Sequence, residues 1–270
     1  MALPRPSPGT TAVVTGASSG IGAAIARELA RRGHGITLVA RRVDRLEELA
    51  EELAATGTIA HVVATDLADR SARAALPDRV GALGLEADIL VNNAGVSTLG
   101  PVASSDPEAE LAMVEVDVLA VVDLCSRFLP GMVRRGRGAV LNVASTGAFQ
   151  PLPGQAGYGA AKSFVLSYTQ SLGGELRGTG VTATTLCPGP VDTGFGERAG
   201  FSKEDAAAAL PAVMWETPDA VARAGIEGLA AGRAVVIPGL ANRAAAVLGR
   251  LVPNRALVPL LARSHPGLRT

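Results

Sequence analysis

The sequence predicts an α/β fold, a doubly wound parallel sheet of seven strands flanked by helices in a single domain. Short β-branched or aliphatic runs alternate with longer helical patterns along most of the chain. A glycine-rich turn joins the first of these runs to the first helical pattern. With 270 residues, of which 48% are hydrophobic, the chain can bury one substantial core, and no linker-like stretch divides it.

The strand candidates are spaced so that a helix fits between most neighbours. Helical patterns are clearest at residues 23–32, 44–55 and 163–177. This alternation implies parallel strands with helices on both faces, and ligands of such sheets bind beyond the carboxyl ends of the strands. The seven strand candidates are residues 11–15, 35–40, 60–64, 88–91, 139–143, 181–186 and 234–237.

The turn after the first strand has glycine at positions 16, 20 and 22. Glycine lets the backbone turn tightly and approach a pyrophosphate, which the free amides of the following helix then stabilise. The lysine and hydroxyl of a P-loop are absent, which disfavours a nucleoside triphosphatase. The alternative is a tight turn without a ligand. The predicted Rossmann-type cofactor turn consists of Gly16, Ser18, Ser19, Gly20, Ile21 and Gly22.

Two arginines, Arg41 and Arg42, follow the second strand, where an NAD-binding fold usually has a carboxylate for the ribose hydroxyl. A guanidinium pair suits a 2′-phosphate, so the sequence predicts NADP(H) in preference to NAD(H). The alternative is a pair of solvated loop charges. After the third strand, Asp66 and Leu67 are expected to address the adenine, unless Asp66 only caps the next helix.

A serine, a tyrosine and a lysine form a candidate proton-transfer group. Tyr158 and Lys162 are one helical turn apart, and Ser145 follows the fifth strand candidate. A phenol has an ordinary pKa of about 10, so it acts near neutrality only if a nearby cation stabilises the phenolate. The three residues together predict carbonyl or alcohol chemistry, with Ser145 holding the reacting oxygen.

Taken together and in their order along the chain, these residues resemble the motifs of the short-chain dehydrogenase/reductase family. The resemblance covers roughly residues 10–240. The matches are the TGxxxGxG turn at 15–22, the NNAG segment at 92–95, Ser145, the YxxxK pair and the PG segment at 188–193. The resemblance implies a cofactor cleft lined by Asn93, Ala94, Gly95, Pro188, Gly189, Val191 and Thr193, together with Tyr158 and Lys162. The same resemblance implies that Lys162 holds the nicotinamide ribose and lowers the pKa of Tyr158.

One position departs from the family pattern. The family commonly completes a tetrad with an asparagine in the helix before the serine strand, and this chain has Asp117 there. The resemblance implies that the aspartate keeps part of the asparagine's role, shaping a helix kink and supporting a water beside the lysine, while adding negative charge. Asp117 therefore joins Ser145, Tyr158 and Lys162 as a candidate catalytic residue.

The function predicted from these residues is an NADP(H)-dependent oxidoreductase that moves hydride between nicotinamide and a carbonyl or secondary alcohol. Two alternatives stay open, an NADP(H)-binding regulator without turnover and a scaffold recruited to membranes. The stretch 194–217 resembles the family's mobile substrate cover, and its apolar side chains favour a hydrophobic or bulky substrate unless they are ordinary core. Those side chains are Phe201, Leu210, Met214 and Trp215, with Phe149, Leu152 and Pro153 as a second candidate wall.

Residues 1–240 are assigned to the cofactor-binding domain, and residues 241–270 form an amphipathic C-terminal tail of the same unit. The tail has apolar residues on one helical face and arginines elsewhere. Such a face docks on the protein body or on a second subunit more often than on a membrane surface, and docking is the expectation here.

Charge and composition limit the partners. Lys plus Arg equals Asp plus Glu at 25 each, so no nucleic-acid partner is expected. The three histidines, at 34, 61 and 265, have no ligand spacing, which predicts neither a metal site nor a Ser-His-Asp hydrolase. Without a signal-peptide pattern or a long apolar span, the protein is expected in the cytoplasm. The family resemblance implies a homodimer or homotetramer built by helices near 117–135 and 160–175.

Overall fold

A computed structural model describes residues 3–200, 210–264 and 266–268. It contains one parallel sheet of seven strands in the order β3-β2-β1-β4-β5-β6-β7, which confirms the predicted fold class. Each strand overlaps its sequence candidate. The strands are β1 Thr10–Thr15, β2 Ile36–Ala40, β3 Ala60–Ala64, β4 Glu86–Asn92, β5 Gly138–Val143, β6 Val181–Leu186 and β7 Val235–Val236.

Helices connect the strands and cover both faces of the sheet. They are α1 Gly20–Arg31, α2 Val43–Ala54, α3 Arg70–Gly81, α4 Pro107–Val114, α5 Ala120–Arg135, α6 Ala156–Glu175, α7 Phe195–Arg198, α8 Pro218–Ala230, α9 Leu240–Leu251 and α10 Asn254–Ser264. A π-helical turn, Glu115–Leu119, joins α4 to α5. Short 3-10 turns lie at Val102–Ser104, Thr146–Phe149, Ala212–Met214 and Pro266–Leu268.

The core has one apolar layer on each side of the sheet. Helices α1, α2 and α8 cover one face, and α3, α5 and α6 cover the other. Along β1, Val13 points into one layer while Ala12 and Val14 point into the other, as the two-residue period of a strand requires. Strands buried on both faces read as nearly continuous apolar runs, which is why they were recognisable in the sequence.

Helix α6 begins earlier than the sequence pattern indicated. The periodic stretch predicted a helix over 163–177, whereas the structure begins it at Ala156. Glycines at 157 and 159 weaken the local helix signal, and the packing of α6 on the sheet outweighs their low propensity. The start at Ala156 places Tyr158 in the first turn of α6 and Lys162 one turn further on, as the spacing of these two residues predicted.

The tail packs against the body of the protein. The small and polar side of α9 is buried, at Asn242, Ala246 and Gly249. Gly249 lies against the side chain of Gln150, and the Arg250 guanidinium lies 4.6 Å from the centre of the Phe149 ring. Because Phe149 belongs to the turn that follows Ser145, the tail supports the segment that carries the candidate serine.

Among the described residues, no helix combines the length and apolarity that crossing a bilayer requires.

Replacing Gly180 with alanine is expected to destabilise the fold strongly. Gly178 and Gly180 both have φ of +80°, which is costly for any residue with a Cβ. A Cβ on Gly180 would also collide with the carbonyl oxygen of Gly136, whereas one on Gly178 would meet open space. We expect Gly178→Ala to lower the free energy of unfolding by about 1 kcal/mol and Gly180→Ala by at least about 3 kcal/mol. Urea unfolding of both variants measures the difference, and equal losses would contradict the contact.

Candidate active site

A cavity of about 1040 Å³ opens at the carboxyl ends of the strands. It extends from the turn after β1 to the segment after β5, across the point where the strand order reverses between β1 and β4. Of the residues predicted for the site, Gly22 and Asp117 lie behind its surface. Those that line it are Gly16, Ser18, Ser19, Gly20, Ile21, Arg41, Arg42, Asp66, Leu67, Asn93, Ala94, Gly95, Ser145, Tyr158, Lys162, Pro188, Gly189, Val191 and Thr193.

The glycine turn has the shape that a dinucleotide requires. Gly16 and Gly20 have φ of +66° and +57°, in the left-handed region that favours glycine. A Cβ on Gly22 would collide with the Gly16 carbonyl oxygen, so this residue allows α1 to approach the turn closely. The N-terminus of α1 therefore faces the cavity with its free amides, where a pyrophosphate is stabilised.

Thr15, the last residue of β1, is a site residue to which the sequence analysis gave no role. Its hydroxyl donates to the Val91 carbonyl at 3.1 Å and accepts from the amides of Asn93 and Ala94 at 2.9 and 3.1 Å. The Asn93 side chain returns a hydrogen bond to the Thr15 carbonyl at 3.0 Å. These bonds hold the segment after β4 against the glycine turn. The threonine in TGxxxGxG was the available signal.

The two arginines after β2 differ in their contacts. Arg42 reaches across the glycine turn, and its Nη2 donates to the hydroxyls of Ser18 and Ser19 at 3.0 and 2.9 Å. Arg41 is exposed at the cavity rim. The Arg42 guanidinium and the serine hydroxyls thus present several donors at one place.

Asp66 also lies at the rim, and its Oδ1 accepts from the Ala68 amide at 3.0 Å. It does not cap the next helix, because Asp69 is the N-cap of α3. The side chain of Asp69 accepts the amide hydrogens of Ser71 and Ala72. Asp66 therefore caps only its own turn, and the helix-cap alternative for this residue is wrong.

Ser145, Tyr158 and Lys162 meet at one side of the cavity. The Lys162 ammonium lies 5.5 Å from the centre of the Tyr158 ring and donates to the Val143 carbonyl at 3.2 Å. Enclosure by the cavity walls raises the pKa of Tyr158, and the charge of Asp117 adds to that effect. The charge of Lys162 and a hydrogen bond with Ser145 act in the opposite direction and lower it.

Asp117 forms a buried ion pair with Lys162. Its Oδ2 lies 2.9 Å from the Lys162 Nζ, and its Oδ1 accepts from the Val96 amide at 2.8 Å. Burial raises the pKa of the Asp117 carboxyl. Burial alone would lower the pKa of Lys162, but the charges of Asp117 and Tyr158 outweigh it and the net pKa is raised. The π-helical turn that contains Asp117 aims the carboxylate at the lysine.

Arg73, on α3, is a second residue that the sequence analysis did not single out. It is buried, and its Nη1 donates to the Leu67 carbonyl at 2.7 Å and to Glu115 at 2.9 Å. Glu115 begins the π-helical turn, so Arg73 connects the loop after β3 with the turn that carries Asp117. Nothing local in the sequence marked this arginine, because its partners are distant along the chain.

The remaining part of the cavity is mostly apolar. The expected residues Leu152, Pro153, Leu210, Met214 and Trp215 line it, while Phe149 is buried beside it and Phe201 lies outside the described residues. Phe195 also lines this part, with its ring 6.0 Å from that of Tyr158. The tail supplies further lining residues that the sequence analysis did not expect, namely Ala245, Ala246 and Leu261.

Comparisons with known proteins agree with this geometry. A family model described as short chain dehydrogenase matches residues 10–203. A short chain dehydrogenase of Pseudocercospora fijiensis is 38% identical over 190 residues, which are 70% of this chain and 62% of that protein, so the chain spans less than two thirds of this relative. A putative ketoacyl reductase of the granaticin polyketide synthase of Streptomyces violaceoruber is 39% identical over 202 residues, covering 71% and 73% of the two chains.

Among solved structures, a short-chain dehydrogenase from Sphingobium yanoikuyae in complex with NADPH superimposes with a TM-score of 0.78. The two are 33% identical, and the match covers 93% of this chain and 95% of that one. Fold and site thus define an oxidoreductase built on a Rossmann-type sheet. The family match covers well over half of the chain, and the chain belongs to the short-chain dehydrogenase family.

Asp117→Asn is expected to shift the pH dependence of alcohol oxidation. On the hypothesis that the phenolate of Tyr158 is the base in that direction, the rate rises with pH through the pKa of Tyr158. Removing the Asp117 charge leaves the attraction of Lys162 unopposed, which lowers the pKa of Tyr158. The rising limb of kcat/KM should move to lower pH and the rate near neutrality should increase.

Glu108→Gln, which removes a charge in the first turn of α4 outside the cavity lining, is the control and should leave the profile in place. A profile of Asp117→Asn that coincides with the parent's would exclude an effect of Asp117 on the tyrosine.

Proposed function

We propose that the protein is an NADP(H)-dependent oxidoreductase that interconverts a carbonyl and a secondary alcohol in an apolar, bulky substrate. One observation carries the proposal. Ser145, Tyr158 and Lys162 face the same continuous cavity as the glycine turn, so the proton-transfer group and the dinucleotide site share one space. The family membership supports the reaction class, and the geometry supports the residue roles proposed below.

In the reductive direction Tyr158 donates its proton to the substrate oxygen, and the Ser145 hydroxyl donates a hydrogen bond to the same atom. Lys162 stabilises the phenolate that remains, and it is itself held by the Val143 carbonyl and the Asp117 carboxylate. When bound, the nicotinamide supplies the hydride in reduction and accepts it in oxidation. Asp117 holds Lys162 in position through the ion pair, and its charge also raises the pKa of Tyr158.

Arg42 supports a preference for NADP(H). Its guanidinium and the hydroxyls of Ser18 and Ser19 form a cluster of donors suited to a 2′-phosphate, and Arg41 adds a second positive charge at the rim. No carboxylate takes the position after β2 where an NAD ribose needs an acceptor. The related Sphingobium yanoikuyae enzyme, which was solved with NADPH, is in keeping with this preference.

An apolar, bulky substrate is favoured by the cavity walls. Leu152, Leu210, Met214 and Trp215 enclose the space in front of Tyr158 together with Phe195. Burial of apolar substrate surface against such walls contributes to binding at roughly 25 cal/mol per Å². The match to a putative ketoacyl reductase points to the same class of bulky ketones.

A homodimer or homotetramer is part of the proposal. Helices α5 and α6 expose apolar side chains on their outer sides, among them Val133 and Phe164, and Phe164 stacks on Tyr168 with ring centres 5.7 Å apart. A second copy placed on this surface would bury these side chains.

The proposed activity is tested by following NADPH oxidation with a panel of ketones, from short ketones to fatty-acyl and steroid ketones. Tyr158→Phe should lower the rate by about 10²- to 10⁴-fold while NADPH binding stays nearly unchanged, because one oxygen and little packing are lost. Tyr168→Phe on the same helix is the matched control and should retain the parental rate.

If Tyr158→Phe keeps more than about half of the parental rate, the tyrosine is not the acid that this mechanism requires. Binding of NADPH without turnover of any ketone would favour the alternative of a cofactor-binding regulator.

Replacing Arg41 and Arg42 together with alanine should remove the preference for NADPH over NADH. Each charge-assisted contact to the phosphate contributes about 1–3 kcal/mol, so the ratio of the two dissociation constants should change by one to two orders of magnitude or more. Arg45→Ala removes a nearby charge on α2 that does not line the cavity, and it should leave the ratio intact. Unchanged selectivity in the double variant would mean that the arginines are solvated loop charges.

A further inference from the structure

Helix α9 of the tail is oriented against the usual pattern of a docked helix. A surface helix normally buries its large apolar side chains and exposes its polar ones. In α9 the buried side is made of small or polar residues, Asn242, Ala246 and Gly249. The large apolar residues face solvent, with exposed fractions between 56% and 80%. We call these four residues, Leu240, Val247, Leu248 and Leu251, the tail face.

The tail face forms one continuous stripe. Leu240 and Val247 are seven residues apart, and Leu251 follows Val247 by four residues and Leu248 by three, which places all of them on one side of a helix. Arg243 and Arg250 are exposed along one edge of the stripe. The arrangement of an apolar stripe beside arginines is typical of a helix that lies in the interface of a bilayer.

The charge of the tail selects the partner. The tail, residues 241–270, contains five arginines and no lysine, aspartate or glutamate, so residues 1–240 carry a net charge of −5 in a protein whose total is zero. A symmetric contact between two copies through the tail face would bring these arginines together, which is unfavourable. In contrast, anionic lipid headgroups attract the arginines electrostatically, and the acyl region buries the leucines.

We propose that the tail face docks on the surface of an anionic lipid bilayer. Each leucine is transferred from water to the acyl region, and each nearby arginine gains the attraction of the lipid charge. The helix lies on the surface, since α9 has only 12 residues. The sequence predicts that the apolar face of the tail docks on the body or on a second subunit. The body alternative is wrong for that face, because α9 packs on the body with its small side and leaves its large apolar side exposed.

The opposite side of the same helix lines the cavity through Ala245 and Ala246. Docking therefore brings the cavity near the membrane surface, where an apolar ketone accumulates. Access of a ketone from the membrane rests on the proposed function, whereas docking itself does not. Vesicle binding tests docking, and NADPH oxidation separately tests the function.

The test is co-sedimentation of the full chain with phosphatidylcholine vesicles, prepared with and without phosphatidylglycerol and in the absence of cofactor. We expect binding only to vesicles that contain phosphatidylglycerol, and release as salt is raised. Leu251→Glu should weaken the partition coefficient by about tenfold or more. Arg255→Gln, an exposed charge at the start of α10, should weaken it by about fivefold.

The matched control is Ile59→Glu, because Ile59 is 69% exposed and Leu251 is 73% exposed, and both variants add one negative charge. The partition coefficient of Ile59→Glu should fall by no more than one added negative charge accounts for. Circular dichroism and light scattering accompany each variant to report fold and oligomeric state.

Three results would overturn the proposal: no sedimentation of the parent protein, equal losses in Leu251→Glu and Ile59→Glu, or a change of oligomeric state in Leu251→Glu without lipid. The last result would assign the tail face to a contact between copies. If Leu251→Glu does not fold, the vesicle partitioning of Arg255→Gln decides instead, and binding as strong as that of the parent would overturn the proposal.

Discussion

The buried ion pair between Lys162 and Asp117 joins the parts of the chain that meet beside Tyr158. Lys162 comes from α6 and also bonds to the end of β5, while Asp117 comes from the π-helical turn and also bonds to the segment after β4. Truncating either side chain to an apolar residue would leave an uncompensated charge in the core, which is strongly unfavourable, whereas an asparagine at position 117 keeps an oxygen that can accept from the ammonium. The position of Lys162 beside Tyr158 therefore depends on the π-helical turn that places the Asp117 carboxylate next to the lysine.

The cofactor end of the cavity depends on close backbone approach. Thr15 ties β1 to the segment after β4, and the glycines let α1 come near without a Cβ in the way. Gly95 fulfils the same requirement at the other end, because a Cβ there would lie 3.2 Å from both Asp117 Oδ2 and Lys162 Nζ. The cofactor cleft and the ion pair thus share one short segment, residues 93–96.

The tail combines support of the site with an unusual surface. Its inner side packs on the turn after Ser145 and contributes lining to the cavity, and its outer side exposes leucines beside arginines. A helix that buries alanine and glycine gains little hydrophobic stabilisation from the body alone.

The sequence by itself determined the seven strands, the glycine turn and the order of the motifs, because these follow from backbone preferences and short-range periodicity. The grouping of Ser145, Tyr158 and Lys162 was also predictable, since one helical turn and one strand end place them. Only the tertiary structure decided that Asp117 pairs directly with Lys162, that Arg73 connects Leu67 to Glu115, and that α9 presents its leucines to solvent. These contacts join residues far apart in the chain, and the packing of helices on the sheet, which no local pattern encodes, sets their distances.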